Sequence, residues 1–174
     1  SRPDEKHNII LSVSRFEVSG SKKQIELVRA FSEMCVDYPI QMRGWKLVLV
    51  GGSTPENIYL EAIKDAVAQA QCPIELSVNA AVSDIKEYYR AAAIFWHACG
   101  LEEIQPERVE HFGMTTVEAM QNYCVPVVID GGGQKEIVEH QYSGYRFSTL
   151  DDLKMFSLTL IGDEGRRKTM AECA

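Results

Sequence analysis

At 174 residues, with 45% hydrophobic and 25% charged side chains, the chain suits one globular domain with a substantial buried core. Its formal charge of -7 argues against a nucleic-acid backbone or an anionic membrane as the main partner, because both reward clustered Lys and Arg. No uninterrupted apolar run approaches membrane-spanning length, so no transmembrane segment is expected.

Residues 8–14 (NIILSVS) form a short apolar, β-branched run suited to a strand buried on both faces. After a polar loop over 15–21, Ile25, Val28, Phe31 and Cys35 mark the apolar side of an amphipathic helix. Residues 46–50 (KLVLV) repeat the strand signal and end at Gly51-Gly52. Ser53-Thr54-Pro55 then supplies a capping hydroxyl and a first-turn Pro for a helix striped by Ile58, Ala62, Ile63, Ala66 and Ala70. A third strand is expected at 74–78, followed by a helix capped by Ser83 and running through Ala92, with Ile85, Tyr88 and Tyr89 inward. Residues 94–97 (IFWH) read as a fourth strand. A long irregular loop over 98–113 leads to a helix around 116–122, and 125–129 (VPVVI) is a fifth strand, with Pro126 tolerated near its beginning. Gly131-Gly132-Gly133 turns into a helix near 135–140, 145–147 suits a short sixth strand, and Thr149-Leu150-Asp151-Asp152 opens a last helical region.

Strands alternating with helices imply right-handed crossovers and a mostly parallel sheet covered on both faces. Such sheets bind ligands beyond the C-terminal ends of their strands, where the strand order reverses. Candidate ligand residues therefore lie in the loops after the first four strands. The five cysteines (Cys35, Cys72, Cys99, Cys124, Cys173) form no CxxC and no His-paired metal spacing, which predicts buried free thiols in a reducing compartment. Ser1-Arg2-Pro3-Asp4 lacks an initiator Met, and the chain stops inside helix-like sequence at Met170-Ala171-Glu172-Cys173-Ala174. Both ends are those expected of a domain excised from a longer protein.

Arg15 offers a planar fork for phosphate oxygens, and Lys22, where the next helix begins, a compact point charge. A solvated loop would explain them too, although Lys22 and Lys23 at a helix N-terminus oppose its dipole. In the segment Glu110-His111-Phe112-Gly113-Met114-Thr115-Thr116-Val117-Glu118, Gly113 permits close backbone approach, and the amides that follow can hold a diphosphate. Glu118 can accept from a ribose diol, yet Thr115-x-x-Glu118 equally matches a capping box. His97 at a strand end reads as a hydrogen-bonded core residue, and nothing supports proton transfer by His111. GGGQKE lacks the Walker lysine and no G-x-G-x-x-G follows the first strand, so Gly131-Gly132-Gly133 reads as a tight turn bordering a cleft.

Glu110 and Glu118 stand seven residues apart, and the stretch EHFGMTTVEAMQNYCVPVVIDGGGQKEIV resembles the E-x7-E region of family-four retaining glycosyltransferases. Ser14-Arg15-Phe16 through Lys22, with Glu26-Leu27-Val28-Arg29-Ala30-Phe31, resembles the arginine-to-lysine phosphate motif of that family, with a loop about two residues longer. The similarity runs from about Ile9 to Leu153. The resemblance implies an α/β, Rossmann-like, doubly wound parallel sheet forming one half of a GT-B fold, with residues 1–174 as the C-terminal nucleotide-sugar donor domain and the N-terminal acceptor domain absent. Arg15, Lys22 and Glu110 would be catalytic, the two cations neutralising the departing diphosphate and Glu110 facing the transferred sugar. Phe112, Gly113, Met114 and Thr115 would contact sugar or phosphate, the latter three through backbone amides. Glu118 would hold the ribose, and residues 81–83, with Val82 at their centre, would line the nucleobase.

Two departures stand out. The family usually has Gly where this chain has Asn79-Ala80, and its link between the fourth strand and the first Glu is shorter than residues 98–109 (ACGLEEIQPERV). With little apolar anchoring, that link is expected to be a surface excursion rather than a lid over the donor. The implied reaction transfers a sugar from a nucleoside diphosphate donor to an acceptor hydroxyl, in glycan or polysaccharide biosynthesis, with no metal or other cofactor. Implied partners are the nucleoside diphosphate sugar and a glycan or lipid-linked acceptor reached through the missing domain, not nucleic acid. The implied location is cytoplasmic, including the cytoplasmic membrane face through that domain. A nucleotide-sugar epimerase or hydrolase of the same architecture, or a noncatalytic nucleotide-binding module, are the rival readings.

Overall fold

The apolar runs assemble into one sheet in the computed structural model, which describes residues 2, 5–105 and 108–174. Ser1, Pro3 and Asp4, on which the expected excised start partly falls, and Pro106 and Glu107 of the long loop lie outside the described residues. The strands are β1 (His7–Val13), β2 (Lys46–Gly51), β3 (Ile74–Val78), β4 (Ala92–His97), β5 (Val125–Ile129) and β6 (Tyr145–Phe147). All neighbours pair in parallel, in the order β3-β2-β1-β4-β5-β6. The helices are α1 (Gln24–Asp37), α2 (Ile58–Ala70), α3 (Val82–Ala91), α4 (Met114–Gln121), α5 (Gln134–Ile137), α6 (Leu150–Gly162) and α7 (Glu164–Cys173). This is the Rossmann-like, doubly wound α/β arrangement expected from the alternation of strands and helices, and its winding reverses between β1 and β4.

Side chains alternate across a strand, so each buried strand feeds two cores. Ile10, Leu47, Ile94 and Trp96 pack with Leu27, Phe31, Ile63 and Leu153 of α1, α2 and α6. On the other face Leu11, Val48 and Phe95 pack with Tyr89 of α3 and Ala119 of α4. Lys6 donates to the last carbonyls of α3, Tyr89 O and Arg90 O, both at 2.9 Å, a favourable place for a cation at the negative end of a helix.

Several boundaries differ from the sequence expectation, each for a local reason. Ser53 does not start α2. Asn57 caps it, its Oδ1 accepting from Tyr59 N at 3.0 Å and Leu60 N at 3.1 Å while its Nδ2 donates to Phe16 O. Ile58 is consequently 74% exposed and drops out of the inward stripe. α3 is preceded by Ala81 rather than capped by Ser83, whose hydroxyl bonds Asp84. It stops at Ala91 because Ala92 is already extended and belongs to β4. α5 is a single turn, ended by the extended backbone of Val138. Thr149 and Asp152 form a reciprocal capping box on α6, and Asp163 then divides the terminal region into two helices. The five cysteines are all free, but only Cys99 and Cys124 are buried, the other three being half-buried. No helix among the described residues is long and apolar enough to cross a membrane.

The Trp96 indole is fully buried and donates to Ser157 Oγ at 2.8 Å, and that hydroxyl donates in turn to Leu153 O at 2.7 Å. Replacing Ser157 with Ala leaves a buried N–H without its acceptor, at a cost of about 1–3 kcal/mol. Urea denaturation of Ser157→Ala is expected to show that loss at an unchanged m value.

Candidate functional site

The reversal of strand order opens a crevice above the C-terminal ends of β1 and β4, and the loops that follow these two strands face one another across it. The loop after β1 enters its turns through left-handed backbone at Gly20 (φ 68°) and Lys23 (φ 59°). Gln24 ties it down from the first position of α1, its Nε2 donating to Ser14 Oγ at 2.9 Å and Arg15 O at 3.1 Å. Arg15 is thereby left with 80% of its side chain in solvent, its guanidinium 3.1 Å from Glu17. Lys22 points into the crevice and meets Glu110 at 3.3 Å. Lys23 turns aside and binds Glu103 at 2.7 Å, so the two adjacent lysines have separate tasks.

Glu110 is held on every side. Its Oε2 lies 3.3 Å from Lys22 Nζ and 3.3 Å from His97 Nε2. Its Oε1 accepts from Gly113 N at 3.2 Å and Phe112 N at 3.4 Å. The His97 hydrogen bond leads in holding its carboxyl well below the usual carboxylate range; burial opposes this, and the Gly113 amide and the charges of His97 and Lys22 reinforce it. Burial pulls the Lys22 ammonium down, but its neighbours Cys99 and Glu110, the latter also through its hydrogen bond, outweigh it and hold the group above its ordinary value. Cys99 itself is pushed up by burial, against the pull of Lys22.

The Gly131-Gly132-Gly133 turn supports this loop from beneath. A Cβ on Gly132 would lie 2.0 Å from Glu110 O, and one on Gly133 would lie 2.3 Å from His111 O, so neither position can carry a side chain without moving the loop. Gly133 N also donates to Glu110 O at 2.9 Å. Gly113 precedes α4 in left-handed backbone (φ 64°), with no side-chain cap on the helix. Thr115 and Glu118 therefore sit inside α4, and the capping-box reading of Glu118 does not hold. Glu118 is exposed in the second turn of α4, next to Tyr89, whose hydroxyl is pushed up first by burial and then by the Glu118 charge. The Gly113 and Phe112 amides are committed to Glu110, which leaves those of Met114 and Thr115 as the unspent N-terminal donors of α4. The Phe112 and Met114 side chains project into solvent.

Beside Arg15, a pocket of about 460 Å³ is lined by Phe16, Val18, Gly52, Thr54 and Asn79. Asn79 stands where the resemblance expects Gly, and its backbone is left-handed (φ 54°), a conformation Asn tolerates. Its Oδ1 accepts from Ser53 N at 2.9 Å. Val82 is exposed at the start of α3. Residues 98–109 carry more apolar anchoring than their composition suggests: Ala98, Cys99 and Leu101 are buried, and Glu103 joins Lys23 and Arg108. His97, which sequence reasoning left in the core, reaches the same carboxylate as Lys22. Its position as the last residue of a strand beside the reversal was the available signal.

The family model described as glycosyl transferases group 1 matches residues 1–173. The chain belongs to that family. Within it, the chain is 26% identical over 160 residues to the human alpha-1,3/1,6-mannosyltransferase ALG2, a match spanning 82% of this chain and 34% of that protein. It thus spans about a third of the length of this curated relative. The C-terminal domain of the group 1 protein LpcC from Francisella tularensis has the same fold (TM-score 0.75, 22% identity, 98% of this chain and 84% of that one). So does Anabaena HepE in complex with UDP and glucose (TM-score 0.77, 22% identity, 97% of this chain and 42% of that one). The group 1 chain therefore has the Rossmann-like fold found in these GT-B glycosyltransferases.

A carboxyl held below its ordinary value stabilises the fold at every pH above its unfolded value, near 4.5, and that stability is lost as pH falls through the folded value. Glu110→Gln is accordingly expected to be less stable than the wild type at pH 7, with the gap closing as pH drops below 4.5. Thermal melts of both proteins between pH 7 and pH 2 check this; a gap independent of pH contradicts it.

Proposed function

We propose that this chain is the donor-binding half of a retaining glycosyltransferase, taking a nucleoside diphosphate sugar and passing the sugar to an acceptor hydroxyl in glycan or polysaccharide synthesis. The observation that carries the reading is the meeting of Lys22 and Glu110 at 3.3 Å across the β1/β4 crevice, in two loops of which one also carries the exposed guanidinium of Arg15 and the other leads into the N-terminus of α4. A diphosphate placed there gains the Lys22 ammonium, the Arg15 fork and the Met114 and Thr115 amides. As the bond to the sugar breaks, negative charge grows on the diphosphate. Fixed cations and a helix N-terminus stabilise that charge without reorganising, the kind of electrostatic contribution that lowers such barriers most. Glu110 stays ionised and turns an anionic edge toward the transferred sugar. Glu118 accepts from the ribose hydroxyls, and Val82 with its neighbours borders the base. The acceptor, glycan or lipid-linked, is reached from a partner domain on the far side of the crevice, and a cytoplasmic setting suits the free thiols. HepE binds UDP and glucose on the same fold, which makes UDP the first nucleotide to try.

Three variants against three ligands test the assignments. Arg15→Ala and Lys22→Ala are each expected to weaken UDP or GDP by about 1.5–3 kcal/mol, the worth of a charge-assisted contact, while barely changing the affinity for the nucleoside. Glu118→Gln is expected to weaken diphosphate and nucleoside alike but to matter little for the 2′,3′-dideoxy analogue. Equal losses for all three ligands in every variant, read by calorimetric titration, would mean that these residues serve the fold and not a ligand.

The charges that offset the diphosphate in this reading are organic cations and backbone dipoles, so no divalent ion is needed for binding. Nucleotide affinity is expected to be the same in EDTA as in millimolar Mg²⁺. A tenfold dependence on the metal would sink the proposed cation set.

A further inference from the structure

We propose that His97 is a positioning residue, whose Nε2–H fixes the Glu110 carboxylate and so releases Lys22 to serve the donor diphosphate; the proposal rests on the reading of Glu110 and Lys22 given above. Glu110 Oε2 has two side-chain donors of different kinds, Lys22 Nζ and His97 Nε2, both at 3.3 Å. Lys22 carries its ammonium on a long flexible stem rooted in a loop. His97 is 3% exposed and ends β4, where its backbone is in register with Val128 of β5. An incoming dianion competes with Glu110 for the mobile donor and has no reach to the fixed one. Without His97, the transfer of Lys22 to phosphate would strip a half-buried carboxylate of its side-chain partners, and an uncompensated charge in such a place either moves or takes up a proton.

Packing alone does not account for an imidazole at this point. His97 Nδ1 is buried with no hydrogen-bond partner among the described residues, an expense that Phe or Leu in the same space would avoid. The orphaned nitrogen is tolerated because the opposite one has a task. The titratable groups around the carboxylate are Lys22 from the β1 side, His97 from β4, and Cys99, which faces both Lys22 and Glu110. Among these, His97 is the one whose donor is held by a strand.

The test uses the full-length protein that contains this chain, with His97→Phe, which keeps a ring and removes the donor, and His97→Gln, whose amide reaches the Nε2 position. If His97→Phe does not fold, His97→Asn replaces it, since the shorter amide falls at the Nδ1 position. The first readout is the pH titration of the Glu110 side-chain carboxyl carbon by NMR. The midpoint is expected to rise by about one unit or more in His97→Phe and to return toward the wild-type value in His97→Gln. The second readout is calorimetric binding of UDP and GDP beside uridine and guanosine. His97→Phe is expected to weaken the preferred diphosphate about fivefold or more with the nucleoside within about twofold, and His97→Gln to recover most of the loss. A Glu110 midpoint unmoved by His97→Phe, or a folded His97→Gln no better than the donor-less variant, overturns the proposal. If the wild type binds neither diphosphate, the reading of the crevice fails, while the carboxyl titration still decides whether His97 holds Glu110.

Discussion

Parallel pairing of β1 with β4 places the end of the first strand, Val13, beside the end of a strand some eighty residues later, and helices leave that seam on opposite faces of the sheet. The loops following the two strands have nowhere to go but apart, and the space between them is the crevice. Into it the fold puts a half-buried carboxylate, Glu110, which is costly to remove from water unless its oxygens are fully engaged. Each group that engages it is secured in turn. His97 is fixed by the strand ladder, and the Gly113 amide is aimed by left-handed backbone. Lys22 is carried by a loop that Gln24 fastens to Ser14 and Arg15. Beneath them, Gly132 and Gly133 allow the next turn to lie directly against the carbonyls of Glu110 and His111.

Much of this was legible beforehand because the signals are local. β-branched runs marked the buried strands, their alternation with amphipathic helices implied the parallel sheet, and the rule for reversed strand order pointed to the loops holding Arg15, Lys22 and Glu110. What escaped depends on partners distant in sequence. Ser53-Thr54-Pro55 has the chemistry of a helix start, but Asn57 wins because the same side chain also secures Phe16 O, a tertiary bond invisible in the local pattern. Thr115 and Glu118 have capping-box spacing, yet Gly113 starts the helix two residues before Thr115 and puts both inside it. Residues 98–109 look loosely anchored until Lys23, remote in the sequence, is found holding Glu103 at 2.7 Å. His97 could not be told from an ordinary core histidine until the carboxylate it faces was placed.

The overall charge of -7 and the presence of Arg15 and Lys22 in the loop beside the crevice coexist without conflict, because net charge governs long-range behaviour and a site is built by a few groups at close range. The paired lysines after the first strand illustrate the division. A basic start to a helix works against its dipole, and here Lys22 answers Glu110 while Lys23 answers Glu103, so neither cation is left to the helix alone. Asn79 shows a comparable economy: it adopts the backbone usually reserved for glycine and spends its side chain on the loop after β2.

The two tryptophans lie in the same apolar layer, on the face of the sheet packed by α1, α2 and α6. Trp96 is sealed there with its N–H on Ser157, and Trp45, at the N-terminal end of β2 and so away from the crevice, lies under the Arg167 guanidinium at 5.4 Å. Intrinsic fluorescence of this domain is therefore a property of its core, blue-shifted and shielded from dissolved quenchers. It follows the integrity of that layer at both ends of the sheet, since Trp96 directly precedes His97 while Trp45 stands at the opposite end. Of the two indoles, Trp96 is the one placed to report events above β4, and Trp45 serves as the internal reference for the rest of the core.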